Sequence, residues 1–261
     1  MDLGISGRVA LVCGASRGLG FAAATSLAQA GARVILCART PGPLEEAAAN
    51  LRKLGADVFT ITCDLNNGED LNRLVEAAQG RHGQLDILVT NTAHPKMGAF
   101  SSLSEEDWHA GFQTIFLPVV RLYQRVLPYM QRQGWGRLVN ISTSAVRVPS
   151  STYLLSGVYR TALASLSKCL ANEYGSDGIL VNTVCPGLFR TPLGESLLRD
   201  GAARRGVTPE QAEAQYAEQT AVGRIGEPNQ LGDLIAFLCG QHSHITGQLI
   251  TIDGGKTPSL F

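Results

Sequence analysis

A glycine-rich turn near the N-terminus constrains the fold of this chain more than any other feature. Residues 8–13 form a short apolar run, which indicates a strand buried on both faces. Residues 21–28 are alanine-rich and favour a helix, and Gly14, Gly18 and Gly20 lie between the two. A strand, a glycine turn and a helix in this order present backbone N–H groups and a helix dipole to a phosphate. The alternative is a tight turn that binds nothing.

Apolar runs and helical patterns alternate along the rest of the chain. Predicted strands cover residues 8–13, 33–38, 58–63, 85–90, 137–142, 179–185 and 248–252. Predicted helices cover residues 21–28, 44–54, 71–80, 105–133, 153–174 and 229–240, and a polar helical excursion spans about 193–221. We expect the helix over 105–133 to be interrupted or bent near Pro118 and Pro128. This alternation predicts an α/β fold, a single Rossmann-type domain with a doubly wound parallel sheet of about seven strands.

Charge and cysteine patterns argue against several classes of function. The 261 residues contain 22 Lys and Arg and 22 Asp and Glu, so no net field attracts nucleic acid or an anionic membrane. No apolar stretch is long enough to span a bilayer, and the N-terminus lacks a signal-peptide pattern, which predicts a cytoplasmic protein. The six cysteines and five histidines show no metal-ligand spacing, so we expect buried, reduced thiols and no metal site.

Several further motifs resemble those of the short-chain dehydrogenase/reductase family over nearly the whole length. They are Gly14-x-x-x-Gly18-x-Gly20, Asp64, Asn91, Asn182-Thr-Val-Cys-Pro186-Gly187-Leu-Phe-Arg-Thr191, Gly223-Arg-Ile-Gly-Glu-Pro228 and Thr246-Gly-Gln-Leu-Ile-Thr-Ile-Asp253-Gly-Gly. The resemblance implies a Rossmann fold, a nicotinamide cofactor, a small-molecule substrate and usually a homotetramer, with a homodimer as the alternative. The apolar faces of residues 117–130 and 154–170 would form the subunit interface or, equally, internal core.

The resemblance also implies which residues bind the cofactor. The candidates are Gly14, Ser16, Arg17, Gly18, Leu19, Gly20, Arg39, Asp64, Leu65, Asn91, Ala93, Arg160, Pro186, Gly187, Phe189 and Thr191. Asp64 would accept a hydrogen bond from the adenine amino group, and residues 91–93 would lie along the adenosine ribose. The turn after the sixth strand would lie beside the nicotinamide.

Charge at the end of the second strand predicts the choice of cofactor. An NAD enzyme needs a carboxylate there for the ribose 2′-hydroxyl, but this chain has Ala38 followed by Arg39. Arg17, in the glycine turn, is expected near the same place. Two guanidinium groups without a carboxylate favour a 2′-phosphate, so we predict NADP(H). The alternative is that one arginine is only a solvated surface charge.

The catalytic residues implied by the resemblance are all replaced in this chain. The family's serine, tyrosine, lysine and helical asparagine fall on Thr143, Ser156, Arg160 and Ile115. Ser156 is a far weaker acid than tyrosine, and an arginine with a pKa above about 12 cannot release a proton near neutrality. Thr143 could still orient a carbonyl, and Arg160 could still bind ribose hydroxyls. Loss of general acid catalysis slows a reaction by roughly 10²- to 10⁴-fold.

The sequence leaves the proton donor and the substrate open. His94, Tyr153, Tyr159, Ser156 and water are the candidate donors, although His94 could be a solvated loop residue, Tyr153 a surface residue and Tyr159 a packing residue. The excursion over 193–221 corresponds to the family's substrate lid. Its arginines could pair with an anionic substrate or lie on a solvated helical face.

Three functions are therefore compatible with the sequence. The first is an NADP(H)-dependent oxidoreductase that acts on a carbonyl or alcohol with an atypical active site. The second is a non-redox enzyme of the same fold, a dehydratase, isomerase or lyase in which Arg160 polarises the substrate. The third is a cofactor-binding scaffold without catalysis, which the four replaced positions suggest. The cofactor half of the chain favours the first.

Overall fold

Seven parallel strands form one sheet in the order β3-β2-β1-β4-β5-β6-β7. The computed structural model describes residues 2–259. The strands are β1 Val9–Cys13, β2 Arg33–Ala38, β3 Val58–Thr62, β4 Ile87–Thr90, β5 Gly136–Ile141, β6 Ile179–Pro186 and β7 Leu249–Ile252. The strand order reverses between β1 and β4, and ligands of such sheets bind in the crevice at that point. The predicted single α/β domain of the Rossmann type is confirmed.

Helices cover both faces of the sheet. They are α1 Gly18–Gln29, α2 Pro41–Lys53, α3 Gly68–His82, α4 Glu105–Gly111, α5 Leu117–Gln133, α6 Leu154–Tyr174, α7 Pro192–Arg205, α8 Pro209–Ala217 and α9 Pro228–Leu238. Alternate residues of β1 point to opposite layers, with Val12 facing α1 and α9, and Leu11 facing α3 and α5. Because both of their faces are buried, the central strands β1 and β4 are nearly continuously apolar rather than alternating. None of the helices in residues 2–259 is long and apolar enough to cross a bilayer.

The predicted interruption of the helix over 105–133 occurs near Pro118 but not near Pro128. The segment stays helical through Pro128, and its irregular part is a π-helical turn at Phe112–Phe116. This wide turn ends just before Pro118, which has no N–H to donate to the preceding turn. The apolar face of α5, including Leu122 and Val126, is internal core in this structure.

Capping residues extend α3 beyond its predicted limits. The Asn67 side chain accepts hydrogen bonds from the N–H groups of Glu69 and Asp70, so α3 begins at Gly68 instead of residue 71. It continues to His82, where Gly83 ends it with a φ of 70°. Element ends depend on such single side chains, whereas the apolar pattern locates the middle of an element.

The cysteines follow the expectation with one exception. Five are buried free thiols, and Cys169 on α6 is exposed. The expectation that all six are buried is wrong for Cys169, because this face of α6 also carries the exposed Thr161 and Lys168 and points to solvent.

Candidate active site

The glycine turn joins β1 to α1 at the switch point of the sheet. Gly14 and Gly18 have φ values of 60° and 61°, which side chains other than glycine rarely adopt. A Cβ atom on Gly20 would overlap the Gly14 carbonyl oxygen. Arg17 is the N-cap of α1, and its side chain makes no capping hydrogen bond. The first N–H groups of α1 therefore have no side-chain acceptor at the N-cap and fit a pyrophosphate at that position.

Two arginines flank this turn. Arg17 and Arg39 are exposed, and neither forms an ion pair or a side-chain hydrogen bond within the described part of the chain. Ala38 is the last residue of β2, so no carboxylate occupies the strand end. The guanidinium groups fit the charge of a 2′-phosphate.

The ends of β3 and β4 contribute the adenine-side candidates. Asp64 is half-buried, and its Oδ1 accepts from the Asn66 N–H at 3.0 Å. Leu65 packs against the helical layer. Asn91 Nδ2 donates to the Gly14 carbonyl oxygen at 3.4 Å, which ties the end of β4 to the glycine turn. Asp64 and Leu65 lie outside the cavity described next.

A cavity of about 420 Å³ opens at the carboxyl edge of the sheet. Nine of the predicted site residues line it: Leu19, Asn91, Thr143, Ser156, Arg160, Pro186, Gly187, Phe189 and Thr191. The predicted residues that do not line it are Gly14, Ser16, Arg17, Gly18, Gly20, Arg39, Asp64, Leu65 and Ala93. The catalytic candidates and the nicotinamide-side candidates thus share one space, and the remaining candidates lie outside it.

The turn after β6 forms one wall of this cavity. Pro186 ends β6 and is buried, and Phe189 is 4% exposed. Gly226 makes room for the Phe189 ring, since a Cβ there would lie 2.6 Å from the ring carbon Cε1. The Thr191 hydroxyl accepts a hydrogen bond from an N–H of α7 and caps that helix. The wall is therefore fixed to α7, the first helix of the predicted lid.

The positions that replace the family's tyrosine and lysine contact each other. Arg160 Nε donates to the Ser156 hydroxyl at 3.2 Å, and Nη1 donates to the Ile141 carbonyl oxygen at 2.9 Å. Nη2 donates to the carbonyl oxygens of Thr92 and Ala93 at 3.4 and 3.5 Å. Four of the five guanidinium N–H groups are therefore used by the protein. The sequence suggested an arginine available to ribose hydroxyls, and the structure leaves it one N–H.

Burial alters the acidity of this guanidinium. Arg160 is 6% exposed, and its burial lowers its pKa to about 10. That value is lower than the ordinary one assumed from the sequence, yet the group stays protonated near neutrality. Since no carboxylate lies within ion-pair distance among residues 2–259, Arg160 places an unpaired positive charge at the floor of the cavity.

Thr143 lies at the end of β5 with its hydroxyl on the cavity. Its Oγ1 accepts from the Ala145 N–H at 3.3 Å, which fixes the side chain. The hydroxyl proton has no acceptor in the described residues and can bind a substrate oxygen. The position that corresponds to the family's asparagine, Ile115, is fully buried in the core and cannot contact a substrate.

The sequence offers three aromatic residues as proton donors, and they differ in their access to the cavity. His94 and Tyr153 line the cavity, with their ring centres 5.9 Å apart in an edge-on arrangement. Tyr159 does not line it, and its hydroxyl donates to the Trp108 carbonyl oxygen at 2.8 Å. Tyr159 therefore belongs to an aromatic cluster with Trp108 and Phe112.

The ring nitrogens of His94 have separate tasks. A carbonyl oxygen only accepts, so Nδ1 is the donor in the 2.9 Å hydrogen bond to the Pro95 carbonyl. Nε2 is then an acceptor in the neutral ring. Burial lowers the pKa of His94, and the charge of Arg160 lowers it further. A neutral His94 at physiological pH accepts a proton more readily than it donates one.

Two further residues that line the cavity, Tyr216 and Lys256, were not predicted as site residues from the sequence. Tyr216 of α8 receives a hydrogen bond from the Leu188 N–H to its hydroxyl at 2.8 Å. Lys256 lies over the Tyr216 ring with Nζ 4.8 Å from the ring centre, and it donates to the Gln219 side-chain oxygen. The one signal in the sequence was the place of Tyr216 inside the lid segment. Nothing there indicated that Lys256 reaches it.

Comparisons with known proteins agree with this geometry. A family model described as Enoyl-(Acyl carrier protein) reductase matches residues 14–257. The chain is 34% identical over 257 residues to dehydrogenase/reductase SDR family member 4 of Homo sapiens, covering 98% of this chain and 89% of the relative. It is also 34% identical over 261 residues to the tropinone reductase homolog At2g29150 of Arabidopsis thaliana, covering 98% and 93%.

Two solved structures of reductases superpose closely on this chain. L-sorbose reductase from Gluconobacter frateurii, complexed with NADPH and L-sorbose, superposes with a TM-score of 0.94 at 30% identity and covers both chains fully. An actinorhodin polyketide ketoreductase with NADPH has a TM-score of 0.93 at 30% identity and covers 97% of this chain and 98% of its own.

Proposed function

The chain belongs to the short-chain dehydrogenase/reductase family, and on that premise we propose that it is an NADP(H)-dependent oxidoreductase acting on a carbonyl or alcohol. The observation that carries the proposal is the phosphate-binding turn between β1 and α1. Its glycines and the N-terminus of α1, which no side chain caps, are intact. Both similar solved structures named above contain NADPH.

The charge around the turn supports NADP(H) over NAD(H). Arg17 and Arg39 are exposed without protein partners, and a 2′-phosphate supplies the anion that both lack. Charge-assisted hydrogen bonds of this kind contribute about 1.5–3 kcal/mol each. Asp64 and Asn91 would complete the adenosine side, and Pro186, Gly187 and Phe189 the nicotinamide side.

The apolar side chains in the wall of the cavity favour a largely apolar substrate. Val148, Leu193 and Leu197 line it opposite the polar floor, and Leu193 is 52% exposed at the entrance. Leu193 and Leu197 belong to α7, so this helix and α8 act as the substrate lid in our proposal. An apolar wall with few polar groups is the usual form of a small-molecule site.

The residues of the floor would orient the reacting carbonyl. The cofactor, when bound, supplies the hydride. Thr143 donates its hydroxyl proton as a hydrogen bond to the substrate oxygen, because its own oxygen is held by the Ala145 N–H. Arg160 joins the carboxyl ends of β4 and β5 and adds positive charge where negative charge develops on that oxygen.

A fluorescence titration with NADPH and NADH, followed by a panel of ketones, aldehydes and alcohols, tests the proposal. We expect NADPH to bind at least tenfold more tightly than NADH and some carbonyl compounds to be reduced. Equal or absent binding of the two nucleotides contradicts the cofactor assignment. If NADPH binds tightly but no compound of the panel causes its oxidation, the assignment as an oxidoreductase is contradicted.

A second candidate function, a cofactor-binding scaffold without turnover, is favoured by one observation. Arg160 donates four hydrogen bonds to protein acceptors, as a residue with a structural role would. The same titration and panel distinguish the two functions, since a scaffold binds NADPH and reduces nothing.

A further inference from the structure

We propose that Tyr216, supported by Lys256, donates the proton to the substrate oxygen in the reaction of this site. The inference rests on the proposed function, a reduction of a carbonyl compound. It gives the reaction the acid that Ser156 and Arg160 cannot supply, from a helix on the opposite side of the cavity.

Position is the first argument. Tyr216 lines the same cavity as Thr143 and Ser156. Its hydroxyl also lies at the turn after β6, because a Cβ on Gly187 would be 3.0 Å from Oη. The phenol therefore faces the carboxyl edge of the sheet, where the polar groups of the floor meet the substrate.

The direction of the hydrogen bond is the second argument. The Leu188 N–H donates to Tyr216 Oη at 2.8 Å, so the oxygen serves as an acceptor to the protein. No group among residues 2–259 accepts the phenolic proton. A backbone donor on the oxygen also stabilises the phenolate that remains after the proton leaves. Tyr216 is thus held with its proton available to a ligand.

Electrostatics is the third argument. The Lys256 ammonium lies 4.8 Å from the centre of the Tyr216 ring and favours negative charge on it. Burial raises the pKa of Tyr216, the Leu188 N–H lowers it, and the neighbouring Asp253 and Tyr153 raise it. Since the net shift of its pKa is upward, the phenol is protonated at physiological pH and carries the proton that the step needs.

The other tyrosines of the described chain do not meet these conditions. Tyr123 donates to the Asn140 side-chain oxygen in the core, and Tyr159 donates to Trp108. Tyr129 and Tyr174 do not line the cavity. Tyr153 lines it, but no N–H donor holds its hydroxyl.

A bound reduced nicotinamide cofactor would supply the hydride to the substrate carbonyl carbon, and the C=O π electrons would move to oxygen. The oxygen takes the proton from Tyr216 Oη, which gives an alcohol and a phenolate. The phenolate then regains a proton from water.

The decisive variant is Tyr216→Phe, which removes the hydroxyl and keeps the ring under Lys256. With NADPH and a carbonyl compound that the wild type reduces, we expect kcat to fall roughly 10²- to 10⁴-fold. We expect NADPH affinity and thermal stability to change little. The matched control, Tyr129→Phe, removes a tyrosine hydroxyl outside the cavity and should change kcat less than threefold.

A second variant and a readout other than activity separate a catalytic role from a structural one. In Lys256→Met, kcat should fall roughly two- to fivefold, the factor expected for a cation–π contact. The tyrosinate absorbance of the unliganded protein, titrated with alkali, should lose one late-titrating group in Tyr216→Phe. Lys53→Met, a change at an exposed lysine, should leave both kcat and that group unchanged.

The outcomes distinguish this inference from the proposed function. An active wild type with a Tyr216→Phe variant of unchanged kcat overturns the role of Tyr216 and leaves the oxidoreductase in place. An equal fall in Tyr129→Phe and Tyr216→Phe also overturns it, because the loss is then not specific. A wild type that binds NADPH and reduces no compound overturns both.

Discussion

Arg160 Nε donates to the Ser156 hydroxyl at 3.2 Å, so the two residues at the positions of the family's tyrosine and lysine are hydrogen-bonded to each other. They are one helical turn apart on α6. The remaining guanidinium contacts reach Ile141 and Thr92, at the carboxyl ends of two strands. The pair therefore holds the floor of the cavity together and does not form a proton relay.

The first prediction concerns the stability that Arg160 provides. Arg160→Met keeps an unbranched apolar stem but removes the guanidinium, which leaves the Ile141 carbonyl oxygen buried without this donor. We expect the free energy of unfolding to fall by about 1–3 kcal/mol, measured by urea denaturation. Arg204→Met, at an exposed position of α7, is the control and should stay within about 0.5 kcal/mol of wild type. Equal stability of the two variants would show that the guanidinium contacts contribute nothing.

The second prediction concerns the glycine turn. In Gly20→Ala the new methyl group overlaps the Gly14 carbonyl oxygen, so the turn must open and NADPH binding should be lost. Gly42→Ala adds the same methyl group in α2, where nothing lies within 4 Å, and should be neutral or slightly stabilising. Nucleotide titration and thermal unfolding of both variants check this. A Gly20→Ala protein that binds NADPH normally would contradict the assignment of the turn.

The third prediction concerns the choice of cofactor. Replacing Arg17 or Arg39 with alanine removes a guanidinium from the 2′-phosphate and should weaken NADPH binding about 10- to 100-fold. NADH affinity should change less than threefold, since NADH lacks that phosphate. Arg199→Ala, an exposed arginine of α7, is the control. Equal losses of affinity for NADPH and NADH would instead indicate that the arginines contact a part of the cofactor that the two nucleotides share.

The fourth prediction concerns pH and His94. Burial lowers the pKa of His94 in the folded protein, so the unfolded chain, with a histidine pKa of about 6.5, binds the proton first as the pH falls. The stability that depends on neutral His94 is complete above about pH 6.5 and decreases below it. Between pH 7 and 5 the wild type should therefore lose more stability than His94→Gln.

Urea denaturation across that range provides the measurement for His94. His82 also has a pKa lowered by burial and contributes equally to both proteins, so the difference between them isolates His94. His109→Gln, at an exposed histidine, is the control and should follow the wild type. Identical curves for wild type and His94→Gln would mean that its neutral form is not required for folding.

Local sequence was sufficient for the sheet and for the phosphate turn. Each buried strand appears as a continuous apolar run, because helices cover both faces of a parallel sheet. Gly14, Gly18 and Gly20 are neighbours in the chain, so their turn is specified within one strand and one helix. Element ends and the π-helical turn at Phe112–Phe116 were less accessible, since single caps and one missing N–H decide them.

The sequence by itself determined the fold class and the place of the glycine turn, which depend on periodicity and on spacing along one segment. The family resemblance added the expectation that Ser156 and Arg160 stand at the positions of the catalytic pair. Tertiary structure alone decided that Arg160 binds the ends of two strands, that Tyr159 turns to Trp108, and that Tyr216 meets Leu188. The physical reason is that such contacts join segments far apart in the chain. Their geometry depends on how helices and strands pack, and no local pattern encodes it.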